Sequence, residues 1–476
     1  MKTSAAIAVA AASETATGEG KEMSGFMAGV AVRDITPAAG VPMWGYSDRP
    51  GPSIGVLDPL MARALVLRAG GVTTSVVTMD LGRVPKPPVL NAVRERARKA
   101  GVDHGDFTAS HTHGGPVMEM SEDPHVQLIA EKLGDCIEEA AGKLEPVRLG
   151  VGPAFIDVSH NRRIITEDGK CLMLWRNAEK KPTSPVDHWA TVVKIETEAG
   201  SPLAALVHYA CHPVVLGPDN VEYSADYVGE MARLVKDATN AECLFLQGGA
   251  GDINPYLDKT PRDQGGVESM RSVGRECADA VIQSWKSIRT NTPEHPSLAR
   301  SEKMVEVGTR WDFTNPDQQA IFRSVYGRIF DAYLTDLQPN LSVPLSVLVI
   351  NGDIALAFMP GELFVQYQLD LKIHAPMGHF VGRHGFGQGG FGREMGAIVD
   401  HRKALLVGYS NDFHLYFPTV LGAAAGGYGG TTATYVGVGA GDKLVMEAAI
   451  EIGRLTNAIR PVCTPEDFKL VEAPKA

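Results

Sequence analysis

Five short stretches of this 476-residue chain hold residue types that could do chemistry. The first runs from Phe107 to Pro116 and contains His111, Thr112 and His113. Side chains two apart on a strand share a face, so the two imidazoles can converge on one ion or one substrate. Gly114, Gly115 and Pro116 then keep the strand end open to close approach. The plain alternative is a pair of hydrogen-bonded structural histidines. In the second stretch, His208 and His212 follow the apolar run Leu203–Val207, and either could supply a ligand or be held by a backbone carbonyl. The third passes from Phe245 through Gly248, Gly249 and Gly251 to Asp252, Asn254 and Pro255. Glycine-rich turns after strands can present backbone N–H groups to anions, but Pro255 precludes the helix that a dinucleotide loop needs. In the fourth, Met359 to Glu362 predicts a carboxylate in the first turn of a helix over Gly361–Lys372. There the helix dipole keeps it ionised, as a metal ligand must be. The fifth places Tyr409, Tyr416 and Tyr428 among glycines, where they could line a cleft or simply pack. Neither a G-x-S-x-G elbow nor an H-E-x-x-H helix is present.

The elements that must position these residues can be read from periodicity. Val30–Ile35, Ala64–Leu67, Ser75–Met79, Asp106–Ser110, Thr191–Glu196, Leu203–His208 and Cys243–Gln247 read as strands. Leu345–Phe358 reads as two strands about a turn at Asn351-Gly352-Asp353. Pro88–Ala100, Val126–Leu144, Tyr227–Ala238, Met270–Ile288 and Glu447–Ile459 read as helices. Strands and helices mix without the regular alternation of a purely parallel fold, which predicts an α/β protein with mixed sheets flanked by helices. Asn291–Asp317 is expected to be a linker or excursion, and His379–Gly392 a glycine-rich loop over the site. No fixed-period repeat or domain boundary stands out. Residues 1–28 read as a flexible lead or weak signal segment, and 29–476 as a single catalytic domain.

Composition narrows the function. A net charge of -11 without a basic stripe argues against a nucleic-acid partner. No apolar run reaches the roughly 20 residues that span a bilayer. Six cysteines without a C-x-x-C pair are expected to be buried free thiols. The aromatic content of 7% does not suggest a deep acyl-chain groove. A cytoplasmic location is expected, with secretion or periplasmic export by the Ala-rich N-terminus as the alternative; a homo-oligomeric state is left open.

Taken in order, the motifs resemble the neutral ceramidase family, metal-dependent amidases that release fatty acid from ceramide. The likeness runs from about Gly29 to Ile459 and rests on Val32–Thr36, Met43-Trp44-Gly45-Tyr46, Val77–Gly82, Ser110–Pro116, Cys211-His212-Pro213, Ser224–Asp226, Gly251–Pro255, Pro360–Glu362 and Ser410–Tyr416. The resemblance implies a neutral-ceramidase-like catalytic domain. It implies zinc held by His111, His212, Glu362 and Tyr416, with His113 and Tyr428 over the substrate carbonyl. Asp252 or Asp226 would orient a ligand histidine. Two departures matter. Asn254 stands where the family motif has a serine, and, with Glu447–Ile459 close to the end of the sequence, the family's immunoglobulin-like C-terminal domain is expected to be missing. The expected activity is therefore a zinc-dependent hydrolase that cleaves an amide, ester or lactone bond of a small molecule by metal-activated water. A metal-dependent lyase or lactonase on a small polar or sugar-like substrate, and an inactive binding protein on the same fold, are the competing classes.

Overall fold

The computed structural model describes residues 25–376 and 403–463, apart from 328, 329, 332, 333, 335, 336, 338, 339 and 461. Long runs of β-branched and small apolar residues build an eight-stranded sheet. Its spatial order is Glu242–Gln247, Pro202–Tyr209, Trp189–Thr197, Glu145–Phe155, Met27–Asp34, Met61–Ala69, Val72–Met79 and His104–Ala109. The central strands pair antiparallel, whereas each edge strand pairs in parallel with its neighbour. Parallel neighbours need a crossover. Pro87–Lys99 supplies one and Asp226–Thr239 the other.

A second sheet of four strands runs Leu298–Glu306, Ser342–Ile350, Ile354–Phe358 and Ala404–Val407. Leu65, Leu67, Leu206, Leu244 and Leu246 of the large sheet pack against Leu348, Leu356, Phe358, Leu405 and Val407 of the small one. The outer face of the large sheet is covered by Pro87–Lys99 and Pro124–Gly142 on one side of the molecule, and by Asp226–Thr239 and Gly266–Ser287 on the other. Helices Val365–His374 and Ala440–Leu455 cover the outer face of the small sheet. The order is helices, sheet, sheet, helices, in agreement with the expected mixed α/β class. Among the described residues no helix is long and apolar enough to cross a membrane.

Several expectations need correction. The region 291–317 contains the Leu298–Glu306 strand, since its alternating Leu298, Arg300, Glu302 pattern pairs along the whole of Ser342–Ile350. The first strand starts at Met27, pairing with Arg68. Of the six free cysteines, Cys136, Cys211, Cys243 and Cys277 are buried, but Cys171 is half-buried and Cys463 exposed. The glycine-rich loop expected over the site, His379–Gly392, lies outside the described residues.

One ion pair ties the two sheets together. Asp106, fully buried on the His104–Ala109 strand, accepts from Arg300 Nη2 at 2.9 Å and from Asn411 Nδ2 at 2.9 Å. Removing one partner of a buried pair leaves an uncompensated charge. Asp106→Ala is expected to lower stability by about 3–5 kcal/mol, read from denaturant unfolding; a loss below about 1 kcal/mol would show that the pair is not the tie described.

Candidate metal centre

The ends of five strands meet at one place. His111 follows His104–Ala109, His212 follows Pro202–Tyr209, and the Gly248–Asp252 turn follows Glu242–Gln247. From the second sheet, Glu362 follows Ile354–Phe358 and Tyr409 follows Ala404–Val407. Cross-links fix the meeting point: Gln247 Nε2 donates to Ser110 O at 2.9 Å, and Gly408 N donates to Gln247 O at 2.9 Å. Glu362 and Tyr416 are opposite one another in a short parallel pairing.

The local backbone differs from the simple strand-face picture. The strand ends at Ala109, and His111 has φ 71°, in the left-handed region that β-residues avoid. His111 and His113 still converge, with ring centroids 5.1 Å apart, but through a turn. Tyr409, Asn411 and Leu415 also have positive φ, at 55°, 62° and 56°. Such strain collects where the surrounding structure over-determines the backbone, commonly at functional sites. Glu362 is not in a helix turn either. It sits in the short strand Glu362–Leu363, ahead of helix Val365–His374. Its ionisation therefore has another cause than the dipole.

That cause is the pair of facing histidines. His111 Nδ1 is 2.7 Å from Gly82 O, and His212 Nδ1 is 2.6 Å from Ala250 O. A carbonyl only accepts, so each Nδ1 donates and each Nε2 presents a lone pair. Both Nε2 atoms point at one carboxylate oxygen, Glu362 Oε2, at 3.2 Å and 3.1 Å. Three acceptors aimed at one another repel unless a proton or a cation lies among them. Burial works to raise the Glu362 carboxyl, whereas positive charge at the facing His111 and His212 sites, carried by protons or by a shared cation, pulls it far below the usual carboxylate range. Burial, with Arg162, pushes His212 down to about 4, against the pull of Glu362. The nitrogens of His111, His113 and His212 lie within 4.8 Å of one another. Neither nitrogen of His113 has a hydrogen-bond partner among the described residues. Imidazole nitrogen and carboxylate oxygen are the donors that zinc takes, so the residues present fit a divalent ion.

The expected residues fall into three groups. His111, His212, Glu362 and His113 come together directly. Tyr416 borders them: its hydroxyl is 3.5 Å from His212 Nε2 and accepts from Arg162 Nη2 at 3.0 Å. Tyr428 is at the mouth, 40% exposed, its ring 5.3 Å from that of Tyr416. Asp252 hydrogen-bonds no histidine among the described residues. Its carboxylate accepts from Val365 N and Asn161 Nδ2, both at 2.8 Å, and thereby anchors the helix behind Glu362. Asp226 likewise accepts from backbone N–H groups of Val215, Leu216 and Tyr227. Backbone carbonyls therefore orient the histidines, in place of the expected carboxylates. His208 binds Leu406 O at 2.7 Å and is structural. The glycine turn presents no amides to an anion: Gly248, Gly249, Ala250 and Gly251 donate to Tyr209 O, Gln368 Oε1, Gly248 O and Leu363 O. Gly251 is needed for close approach, since a Cβ there would lie 2.4 Å from Glu362 O.

Three residues escaped the sequence reading. Arg162, buried, donates to Asn254 Oδ1 at 3.0 Å, to Gly251 O at 2.8 Å and to the Tyr416 hydroxyl. Nothing in its local pattern marks it, because its importance comes from contacts up to 254 residues away in sequence. Trp44 and Tyr46 set their rings edge-on to His113 at 5.1 and 4.7 Å, and a Cβ on Gly45 would strike that imidazole at 2.4 Å. The M-W-G-Y stretch that carried the resemblance thus forms a wall of the site. Asn254 is buried with both amide ends engaged, its Nδ2 donating to Asp258 Oδ2 at 3.0 Å, so it holds Arg162, and an amide is no nucleophile.

No protein-family model matches the sequence. Solved structures do match. The chain is similar to the crystal structure of neutral ceramidase from Pseudomonas aeruginosa, with 18% identity and TM-score 0.68 over 93% of this chain and 76% of that one. It is similar also to a ceramidase complexed with C2, with 17% identity and TM-score 0.68 over 95% of this chain and 77% of that one. The chain has the neutral-ceramidase-like fold.

The loop between the histidines is clamped by an ionisable group. Thr112 Oγ1 donates to Ser224 O at 2.7 Å, while Ser224 Oγ and Ala225 N donate to Asp58 at 2.5 and 2.8 Å. Burial raises Asp58 to about 7, against those two hydrogen bonds. A carboxyl raised on folding contributes stability that is complete at low pH and lost as pH rises toward 7. Asp58→Asn is expected to flatten that fall: the stability difference, mutant minus wild type, should grow between about pH 4 and 7 by on the order of 1–3 kcal/mol. Parallel pH profiles for the two proteins would contradict this.

Proposed function

We propose that this protein is a zinc-dependent amidohydrolase that uses water, with no serine intermediate. The observation that supports it best is the convergence of His111 Nε2 and His212 Nε2 on Glu362 Oε2 at 3.2 and 3.1 Å, with His113 beside them. The ceramidase fold supports amide hydrolysis as the reaction class.

His111, His212 and Glu362 would hold the ion, with Tyr416 as the fourth ligand implied by the family resemblance. A bound zinc ion supplies Lewis acidity and brings the pKa of a coordinated water to about 7. The remaining work falls to this chain's own side chains. Partial burial, then His111 and His212, lowers His113 well below the ordinary imidazole value, so it is neutral at pH 7 and can donate one N–H. An ordinary phenol is also protonated at pH 7, so Tyr428 can donate from the mouth. Two neutral donors suit a carbonyl oxygen that gains charge as the carbon becomes tetrahedral, each worth about 3–4 kcal/mol in a dry site. Arg162 holds the Tyr416 hydroxyl in place and keeps a positive charge beneath the reacting centre. The amide of Asn254 leaves the site without a nucleophilic side chain at the position where the family motif has serine.

A three-histidine ligand set is the second reading, favoured by the two free nitrogens of His113. Metal content separates them. His111→Ala, His212→Ala and Glu362→Ala should each abolish stoichiometric zinc and hydrolysis of N-acyl amides; retained zinc and full activity in all three would sink the site. His113→Ala should retain zinc and lose about 10²–10³ in kcat if it is an oxyanion donor, and lose the zinc if it is a ligand. Treatment with a serine-reactive acylating reagent should leave no stoichiometric adduct; a labelled serine would contradict the water route.

A further inference from the structure

One side of the opening is a belt in which cations and aromatic rings alternate. The Arg49 guanidinium lies 5.2 Å from the Tyr46 ring centroid. Lys259 Nζ lies 6.0 Å from that same ring and 4.5 Å from the Trp175 ring. The Arg162 guanidinium lies 5.0 Å from Trp175 and 5.5 Å from both Tyr416 and Tyr428. Tyr46 touches His113 and Trp175 touches Tyr428, so the belt abuts the reacting centre at both ends.

The three cations differ in their partners. Arg49 and Arg162 donate to carbonyl oxygens, to Asn254 and to the Tyr416 hydroxyl. Among the described residues neither hydrogen-bonds a carboxylate. Asp48 and Asp219 act on Arg49 only through space. Among the described residues Lys259 has one carboxylate partner, Asp258 Oδ2 at 2.8 Å; the Asp258 side chain is fully buried, whereas that of Lys259 is 35% exposed. The acid therefore lies on the buried side of the pair, and about a third of the lysine side chain stays exposed. Lys259 also adopts φ 47°, a left-handed conformation that a β-residue or an ordinary surface lysine does not need. Its amide is fixed to Val214 O at 2.8 Å. Two aromatic faces and a buried carboxylate thus hold one partly exposed positive charge beside Tyr46, whose ring centroid is 4.7 Å from that of His113. An uncharged substrate gives no return on desolvating such a belt, whereas an anion recovers it.

Building on the amidohydrolase reading, we propose that the substrate is an amide bearing an anionic group, a carboxylate a few bonds from the scissile carbonyl, and that Lys259 is the residue that selects it. The acyl side carries no charge in this assignment; the anion belongs to the amine that leaves, as in an N-acyl amino acid. The aromatic faces of Tyr46 and Trp175 flank the amine portion, and the Lys259 ammonium takes its carboxylate.

Two kinds of measurement on the zinc-loaded protein test this. Binding is read by calorimetry with uncleavable ketone isosteres, a methylene in place of the amide nitrogen, of hexanoylglycine and of hexanoylethanolamine. Turnover is read with the two amides themselves. The carboxylate isostere should bind at least about tenfold more tightly than the alcohol. Lys259→Met should bring that ratio to near one, and Lys259→Arg should restore most of it. If Lys259→Met fails to fold because Asp258 is left unpaired, the double variant Lys259→Met with Asp258→Asn takes its place. A ratio near one in the wild type, or a ratio untouched by losing Lys259, overturns the proposal, including the case in which a bound metal takes the carboxylate directly. Tight Lys259-dependent binding with neither amide cleaved supports the anion site and defeats the amidohydrolase reading. Cleavage of both amides at equal kcat/KM, unaffected by Lys259, does the reverse.

Discussion

Three lone pairs aimed at one point are the constraint on which the rest of this structure depends. Gly82 O and Ala250 O each take a proton from an imidazole Nδ1, and the two Nε2 atoms are left facing a carboxylate oxygen. Such a set is repulsive by itself, and burial removes the water that would relieve it. It becomes favourable around a cation, where the same repulsive geometry is a coordination shell. Much of the surrounding fold can be understood as what keeps those three atoms from relaxing apart.

Two sheets share the work. The large sheet delivers both imidazoles from strand ends, and the small sheet delivers the carboxylate, so the cluster forms only where their ends meet. The Asp106–Arg300 pair and the Gln247 bridge to Ser110 O lock that meeting. The backbone is strained nearby, at His111, Tyr409, Asn411 and Leu415. Strain of this kind costs on the order of 1–3 kcal/mol per residue and is offset by the large apolar interface between the sheets, where Leu206, Leu244, Leu356 and Leu405 are buried.

Around this centre lies a second arrangement, from Arg162 through Asn254 and Asp258 to Lys259. Where a serine would stand in the family motif, this chain has a buried amide engaged at both ends. Its effect is to join a buried guanidinium to a rim ammonium through one carboxylate. The inner end supports Tyr416, and the outer end faces what approaches the site. Chemistry and selection are thus linked in a single hydrogen-bonded chain.

The sequence by itself determined the element types, because apolar periodicity directly reports which faces are buried: Tyr227–Ala238, Met270–Ile288 and the two strands about Asn351 all correspond to observed elements. It also determined which residue types were available, and the order of its motifs, through their resemblance to the neutral ceramidases, nominated His111, His113, His212 and Glu362 together. Only the tertiary structure decided how they meet. Positive φ at His111, the strand position of Glu362 and the use of backbone carbonyls to orient imidazoles leave no mark on periodicity, since each is set by contacts between distant segments. The same holds for Arg162, Trp44 and Tyr46, whose roles exist only once strand ends converge. The same reason explains why Asp252, expected with Asp226 to orient a ligand histidine, instead binds the N–H of Val365, a contact that its own sequence neighbours do not foretell.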